Sequence, residues 1–526
     1  LGGRPYSYDG HEFQEAILSD TSQEVNVRKC SQVGVSEASA RLALALTNVV
    51  RPFTAIYTLP TAHFAKTFTK TRIDPIIKGS KVLSSAIDAN NDTTEVKQFG
   101  DNFLYVKGAA SSNAPISIPS DSIIQDEQDF CDQEVLSQYT SRLTHSPWKL
   151  IRRFSTPTVP GYGVDLAFQS SRRHYNLCKC SHCNHWFNPD YYKHVKIPGY
   201  TKTLEEITKQ SLASIAWKDA ALHCPACGKV PSLLPEHRQY VCENSDEALV
   251  GAGYQVSPFD APTFIVVPDL IRSSTNYVRR QDFVNFGLGL PMEDKESALM
   301  PEDFDELFVH LLQPGSATHV MGIDVGHIYH FVVGACYPNG DVLIVHRERV
   351  PMNEARKRYA DLRLKYRVVC SVIDSGPHAE TVMALQDLDP NLYASVYMRA
   401  RGMLTHNVVD RAANPSDAVE FVRQVNVNRN RALDAYMEFI RQKHLLIMAA
   451  SDEDDQVFQA HHTSMKRIRM FDHDSGEMTY SWQKSDGVDH FHHAGLYCWL
   501  AGKIRGVGRP LIMLPTFTAR KFRIKE

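Results

Sequence analysis

The chain reads as two α/β domains joined by a cysteine-rich segment. Three observations predict this. A strand, loop and helix lie near the N-terminus, around Val25 to Leu46. An apolar strand ending in Asp126-Glu127 follows well downstream. In the C-terminal half two more apolar strands end in single aspartates, Asp324 and Asp374. Apolar runs closed by a polar residue and followed by helix formers are what buried, mostly parallel sheets look like in sequence.

Bulk properties set the frame. A chain of 526 residues is too long for one core and predicts roughly two to four domains. It is 43% hydrophobic and 22% charged, the balance of an ordinary soluble protein. No apolar run approaches the roughly 20 residues that span a bilayer, so no membrane partner is expected. The polar N-terminus lacks a charged start followed by an apolar core, and no signal peptide is expected. The net charge of −3 comes from 57 basic against 60 acidic residues. A chain basic all over is excluded, yet local basic surface can still set phosphate affinity.

The first element is a short strand in which Val25 and Val27 alternate with polar residues. The run Arg28-Lys29-Cys30-Ser31-Gln32-Val33-Gly34-Val35-Ser36 then lies over the phosphate-loop pattern G-x-x-x-x-G-K-[ST]. Gly34 takes the second glycine and Ser36 the metal-binding hydroxyl. Val35 stands where the lysine belongs, and Lys29 stands where the first glycine belongs. A phosphate cradle needs one cation on the β- and γ-phosphates, from whichever end of the loop it arrives. Glu37 to Leu46 is rich in helix formers, and a helix starting near Ser36 aims unpaired N–H groups at a phosphate. The plain alternative is an amphipathic helix after a polar turn.

Ser122-Ile123-Ile124-Gln125-Asp126-Glu127 decides between them. In this Walker B arrangement Asp126 orients Mg²⁺ through its water shell and Glu127 polarises the attacking water. A strand running into an acidic turn would look similar, since Asp129 follows closely. The two motifs together predict a phosphate-loop ATPase using ATP with Mg²⁺. Gln14, before the first strand, offers an amide for the adenine edge. Ser155, Thr156, Pro157 and Thr158 follow an apolar, basic stretch and can sense the γ-phosphate, coupling its loss to moving parts; alone they would be a turn.

Five of the eleven cysteines fall between Cys178 and Cys227. Cys180, Cys183, Cys224 and Cys227 form two C-x-x-C knuckles, the pattern of a tetrahedral Zn²⁺ site. Four thiolates leave no open position, so the site reads as structural. Cys178 is a competing ligand, His182 and His185 are spares, and residues 184–223 should fill a small subdomain.

In the C-terminal half, His319 to Gly326 is an apolar strand ending in Asp324, and Tyr329 to Tyr337 is a second strand. Pro338-Asn339-Gly340-Asp341 is a hairpin turn, and Val342 to His346 a third strand. Val368 to Gly376 is a buried strand ending in Asp374, and Asp486 to His490 opens a helical segment through Ile504. Two strand-end carboxylates plus Asp489 at a helix start are the pattern of ribonuclease H-like folds, where such a cluster holds two Mg²⁺ or Mn²⁺ for phosphodiester cleavage. Sugar-kinase-like ATPases share the Asp-x-Gly strand end.

In its displaced lysine, zinc insertion and C-terminal nuclease pattern, the chain resembles the large terminase subunit of tailed bacteriophages, closest to the lambda-like branch. The resemblance covers nearly the whole chain. It rests on Lys29 to Ser36, Ser122 to Glu127 and Ser155 to Thr158, then the Asp324 and Asp374 strands. Phe283-Val284-Asn285-Phe286-Gly287-Leu288-Gly289-Leu290-Pro291 is similar to the family's segment leading to the nuclease. The resemblance implies a motor that pumps double-stranded DNA into a procapsid through the portal and a nuclease that cuts concatemeric DNA. It also implies a small terminase subunit as partner, a homo-oligomeric ring on the portal, and residence in the host cytoplasm with transient docking on the procapsid, outside the mature virion. Two departures stand out. Glu37 replaces a second basic residue of some relatives. Asp489-His490-Phe491-His492-His493-Ala494 carries His493 where many relatives have an acid; His493, one helical turn from Asp489, is a weaker metal ligand or an acid for the leaving oxygen. Arg72, Arg142, Arg152 and Arg153 are candidate arginine fingers.

The expected division is a 1–167 ATPase core, a 168–300 lid and linker with the zinc knuckle, a 301–507 nuclease and a 508–526 basic tail. The rival readings are a zinc-stabilised DNA-binding scaffold whose ATPase is defunct, because of Val35, and a cellular helicase-nuclease.

Overall fold

The computed structural model describes residues 6–110, 118–244, 246, 249, 251–277, 279–293, 298–310, 316–376, 378–397, 406–410, 423–471, 478–485 and 488–506. The expected basic tail lies outside these residues, as do Asp486 and Gly487. Two compact units emerge, one running to residue 294 and including Ile468–Ser481, the other comprising 295–467 and the chain from Trp482.

The first unit is built on one sheet. Its order is Arg238–Cys242, Arg172–Lys179, Ala252–Val256, Glu24–Lys29, Leu150–Ser155, Ser122–Asp126, Thr54–Leu59, Asn102–Gly108 and Val96–Phe99. The central strands are parallel and nearly continuously buried, as expected when helices cover both faces. Register fixes the functional end. Arg28 pairs with Ser155, Asp126 with Phe154 and Lys29 with Val256. The C-terminal ends of Glu24–Lys29, Leu150–Ser155 and Ser122–Asp126 therefore lie side by side, where parallel sheets bind ligands.

The helix Val35–Val49 buries Val35, Ala38, Ser39, Ala43, Leu44 and Thr47, a stripe at helical spacing. Gly34 precedes it at φ +75°, where an L side chain is strained, and an added Cβ would lie 3.0 Å from Nε2 of Gln14. Only glycine suits that turn.

The expected boundary at 167/168 falls inside this sheet rather than between domains. Arg172–Lys179 and Ala252–Val256 continue it, the latter pairing directly with Glu24–Lys29. Long parallel crossovers leave no mark at such a point in sequence. After Trp186–Phe187, which pairs back onto Arg172–Lys179 as a tenth strand, the chain leaves the sheet until Arg238 and forms a small lobe with its own two-stranded sheet, Val195–Lys196 with Ala221–Leu222. Phe187, Tyr191, Leu204, Ile207 and Leu222 belong to its core. Ile468 and Met470, expected from the sequence in the nuclease, pack with Val159 and Tyr162 within the first unit.

The second unit has a nine-stranded sheet. Thr318–Asp324, Ile328–Cys336 and Val342–Pro351 form an antiparallel meander, turned at Gly340 with φ +98°. Cys370–Asp374 and Leu392–Tyr397 then add in parallel to the free edge of Thr318–Asp324. Numbering these five strands in chain order, the spatial order is 3-2-1-4-5, which is the ribonuclease H-like arrangement. The helix His490–Ile504 is buried from Phe491 to Gly502. Gly322 lets it lie on the first strand, because a Cβ there would collide with backbone atoms of Ala494 and Cys498. Among the described residues no helix is long and apolar enough to cross a membrane.

Candidate functional sites

Lys29 is the last residue of its strand rather than part of the loop, and is only 5% exposed. Its Nζ lies 3.1 Å from Oε1 of Glu127. Burial pushes the Lys29 pKa down, but the charges of Glu127 and then Asp126 outweigh it and raise the value. Ser36 Oγ donates to Oδ1 of Asp126 at 3.1 Å. The four residues singled out as Lys29, Ser36, Asp126 and Glu127 thus meet in one place, although they come from two segments of the chain. Glu127 adopts φ +54°, an unusual conformation for a non-glycine residue of the kind found where a side chain must be aimed.

Tyr57 was not legible. Its hydroxyl donates to Oδ2 of Asp126 at 2.7 Å and lies 2.7 Å from Ser39 Oγ. It occurs within an apolar strand, Thr54–Leu59, with no motif around it. Burial, then Glu127, pushes Asp126 up to about 6, against the opposing charge of Lys29. Gln14 is buried, with its amide nitrogen donating to Val33 O at 2.9 Å and its oxygen accepting from Tyr6. It therefore pins the loop. Ser31 N donates to Phe286 O, and Gln255 Nε2 to Gly289 O, so the Phe283 to Pro291 segment buttresses the same loop.

Ser155 ends the strand between Lys29 and Asp126. Its Oγ accepts from Asp129 N at 3.1 Å, and Thr158 donates from N and Oγ1 to Oδ2 of Asp129 at 2.8 and 2.9 Å. Asn285 Nδ2 and Met292 N both donate to Thr158 O. The acidic turn after Glu127 is thus tied to the Ser155, Thr156, Pro157, Thr158 segment through Asp129, which burial pushes up to about 7. Of the candidate arginines, Arg152 is committed to carbonyls of Gln23 and Ile151, Arg153 to Glu24 and Asn26, and Arg72 to Glu37.

Cys180, Cys183, Cys224 and Cys227 converge. The Sγ atoms of Cys180 and Cys227 lie 3.7 Å apart, as do those of Cys183 and Cys224. With metal–sulfur bonds of about 2.3 Å, a tetrahedral edge is about 3.8 Å, so these thiols fit a zinc ion. Cys178 is turned away and donates to Ser232 O at 3.5 Å. His182 Nε2 meets Val230 O.

In the second unit Ile323 pairs with Ile373 in a parallel ladder. Asp324 and Asp374 are the next residues on each strand, and neighbouring strands lie about 4.8 Å apart. Burial raises the Asp324 pKa, against the hydrogen bond from His490. Burial and then the charge of Asp324 raise that of Asp374. Asp489 stands immediately before the helix, and its side chain makes no capping bond. Burial pushes it up, but the hydrogen bond and charge of His493 prevail and hold it well below the carboxylate range. His493 Nε2 is 3.4 Å from Asp489, and its Nδ1 is 3.2 Å from the Tyr397 hydroxyl. His490 Nδ1 lies 2.8 Å from Oδ2 of Asp324. His330, directly opposite Asp324 in the hairpin, stacks on His490 with ring centroids 4.7 Å apart. Burial, then His490 and His461, pushes its pKa down to about 3. His330 and His461 could not be found from the sequence, because cross-strand register and tertiary stacking carry no local signal.

Together these features define a phosphate-loop ATPase on one unit and a ribonuclease H-like sheet with strand-end carboxylates on the other. Residues 4–241 match the family described as phage terminase large subunit gpA, ATPase domain, in agreement with the resemblance drawn from its motifs. No curated protein matches. Solved structures with likeness include the large terminase of a thermophilic bacteriophage, at 11% identity and TM-score 0.33, covering 95% of this chain and 100% of that one. The large terminase of bacteriophage HK97 gives 9% identity and TM-score 0.46 over 94% and 95% of the two chains. The large terminase nuclease of the thermophilic phage G20c gives 11% and 0.24 over 38% of this chain and 98% of that one. Scores this low establish neither activity nor site residues.

Proposed function

We propose that the chain is the packaging motor and endonuclease of a tailed phage, driving double-stranded DNA into a procapsid by ATP hydrolysis and cutting concatemeric DNA to length. The observation that carries this reading is the meeting of Lys29, Ser36, Asp126 and Glu127 at one sheet end, in a chain whose other unit aligns Asp324 with Asp374.

In the ATPase, a helix leaves its first N–H groups unpaired, so Gly34 to Ser36 forms an anion cradle. Lys29 exchanges Glu127 for the β/γ-phosphates, which frees the Glu127 carboxylate to accept a proton from the attacking water. Ser36 and Asp126, adjacent oxygens suited to a hard cation, would hold Mg²⁺, which draws charge from the phosphate oxygens. Loss of the γ-phosphate is relayed from Glu127 through Asp129 to Thr158. The four thiolates would hold one Zn²⁺ as a structural crosslink. In the nuclease, Asp324, Asp374 and Asp489 would hold divalent ions that stabilise the charge developing in phosphodiester cleavage, and His493, fixed by Asp489 and Tyr397, is placed to protonate the leaving oxygen. The partners of this reading are DNA, a small terminase subunit and the portal, with the chain acting as a ring docked on the procapsid in the host cytoplasm.

The test is ATP-driven uptake of DNA by empty procapsids in the presence of this chain. The reading expects uptake by the wild type and none by Glu127→Gln, which retains ATP binding. ATP turnover without any uptake would favour the helicase-nuclease reading, and no turnover would favour the scaffold.

A further inference from the structure

Within the second unit, Asp324, His330 and His490 bring one ligand atom each to within 4.8 Å of one another. The fold enforces this. Asp324 and His330 are a directly opposed cross-strand pair, so their side chains leave the same face. His490 is the first residue of the helix lying on that face. His330 is 4% exposed, and its Nδ1 is buried with no hydrogen-bond partner. An unpaired buried ring nitrogen costs free energy, and one beside a buried carboxylate and a second imidazole has an obvious use. His461, whose ring lies 5.6 Å from that of His330, has its Nδ1 occupied by Phe491 N, so it supports the cluster without joining it.

We infer that Asp324, His330 and His490 form a transition-metal site of one carboxylate and two imidazoles. It makes one metal position of this pocket nitrogen-rich, while Asp374 serves the oxygen-rich side. Metal–nitrogen and metal–oxygen bonds of about 2.1 Å place neighbouring ligand atoms about 3 Å apart, so a bound ion draws the three atoms, now within 4.8 Å of one another, together by less than about 2 Å. Imidazole ligands suit Fe²⁺ and later first-row ions best, Mn²⁺ takes a mixed set of carboxylate and imidazole less tightly, and Mg²⁺ prefers oxygen alone. The site therefore selects a transition ion over Mg²⁺. This deepens the nuclease reading, on which its catalytic use rests.

The full-length chain titrated with Mn²⁺ provides the test, by electron spin echo spectroscopy for nitrogen coupled to the bound ion. The wild type should show coupling from directly bound imidazole, and Mg²⁺ in about hundredfold excess should not displace the ion. His330→Ala should lose part of the coupling and weaken Mn²⁺ binding by at least the roughly tenfold that loss of a supporting group costs a metal site. His330→Asp, which replaces nitrogen by oxygen, should keep an ion but let Mg²⁺ compete. Because the wild-type spectrum needs no variant, misfolding of His330→Ala leaves the test intact. Mn²⁺ bound through oxygen alone would overturn the proposal, as would equal affinity in a folded His330→Ala. Plasmid nicking with oxygen-only coupling would defeat this site and leave the nuclease reading standing. Nitrogen coupling in a chain that never nicks DNA would support the site and defeat that reading.

Discussion

The pockets proposed for ATP hydrolysis and for DNA cleavage answer the same electrostatic problem in opposite ways. Each gathers carboxylates at the C-terminal end of a buried sheet, where charge is expensive to bury. In the first unit Asp126 and Glu127 have a resident counter-charge, Lys29, together with hydroxyls from Ser36 and Tyr57. In the second, Asp324 and Asp374 have no lysine or arginine partner among the described ion pairs, and Asp324 meets only His490. The first pocket is assembled before its ligand arrives. The second has a buried Asp324 and a half-buried Asp374 whose pKa values are raised, and on the proposed reading a divalent cation would complete it. An anionic substrate such as ATP can bind where a lysine waits. A DNA phosphate can bind between two aspartates only after metal has reversed the local charge.

This contrast breaks first at Lys29. Lys29→Ala should abolish ATP hydrolysis and also destabilise the first unit by about 3–5 kcal/mol, since it strands Asp126 and Glu127 without their cation. Turnover and a thermal melt on one preparation check both. Normal rates would mean that the displaced lysine does not serve the loop.

The cysteine-knuckle lobe should show the next largest effect. One Zn²⁺ per chain is expected by elemental analysis. Cys227→Ser or a strong chelator should unfold the 180–237 lobe, seen as new protease sensitivity there, without removing any catalytic group. Metal-free protein with an intact lobe would contradict the assignment.

Tyr57→Phe sharpens the comparison further. It deletes a hydrogen bond to a buried carboxylate, worth about 1.5–3 kcal/mol, while Lys29 and Glu127 remain. Steady-state kinetics should show a lower kcat with ATP binding little changed. An unchanged kcat would reduce Tyr57 to a packing residue.

The smallest effect concerns pH. Asp126 and Asp129 are pushed up to about 6 and about 7. A carboxyl with a raised folded-state pKa holds its proton more tightly when folded. It therefore favours folding at low pH, and that contribution is lost as pH rises from about 4, the ordinary carboxylate value, through about 7. The first unit should melt at lower temperature across this window. Lys29→Ala should extend the decline upward, because Lys29 opposes the rise at Asp126. A melting temperature that climbs through the window would contradict these shifts.

How much could be read from the sequence depends on how local each signal is. Lys29, Gly34, Ser36, Asp126 and Glu127 sit in short motifs at strand ends, where chain order alone states the geometry. The cysteine knuckles are local too, so their convergence could be expected, and the C-x-x-C spacing already favoured Cys180 over Cys178, which turns away to Ser232. Tyr57 could not be read, because its partner is 69 residues away and its own strand is simply apolar. His330 is set by hairpin register with Asp324, a two-strand property. The sheet's continuation through Arg172–Lys179 and Ala252–Val256 depends on long parallel connections, which look in sequence like a domain change. Asp129 was visible as an acid but not as the tie between Glu127 and Thr158, since hydrogen bonds to backbone N–H groups leave no residue-type signature.

The central claim is that one chain holds two chemically independent active sites. Plasmid nicking by Asp324→Asn in Mn²⁺, with ATP hydrolysis measured on the same preparation, tests it most directly. Nicking should disappear and ATP hydrolysis should match the wild type. Full cleavage by Asp324→Asn would contradict the claim, because the pocket at the ends of the Asp324 and Asp374 strands would then not be the nuclease site.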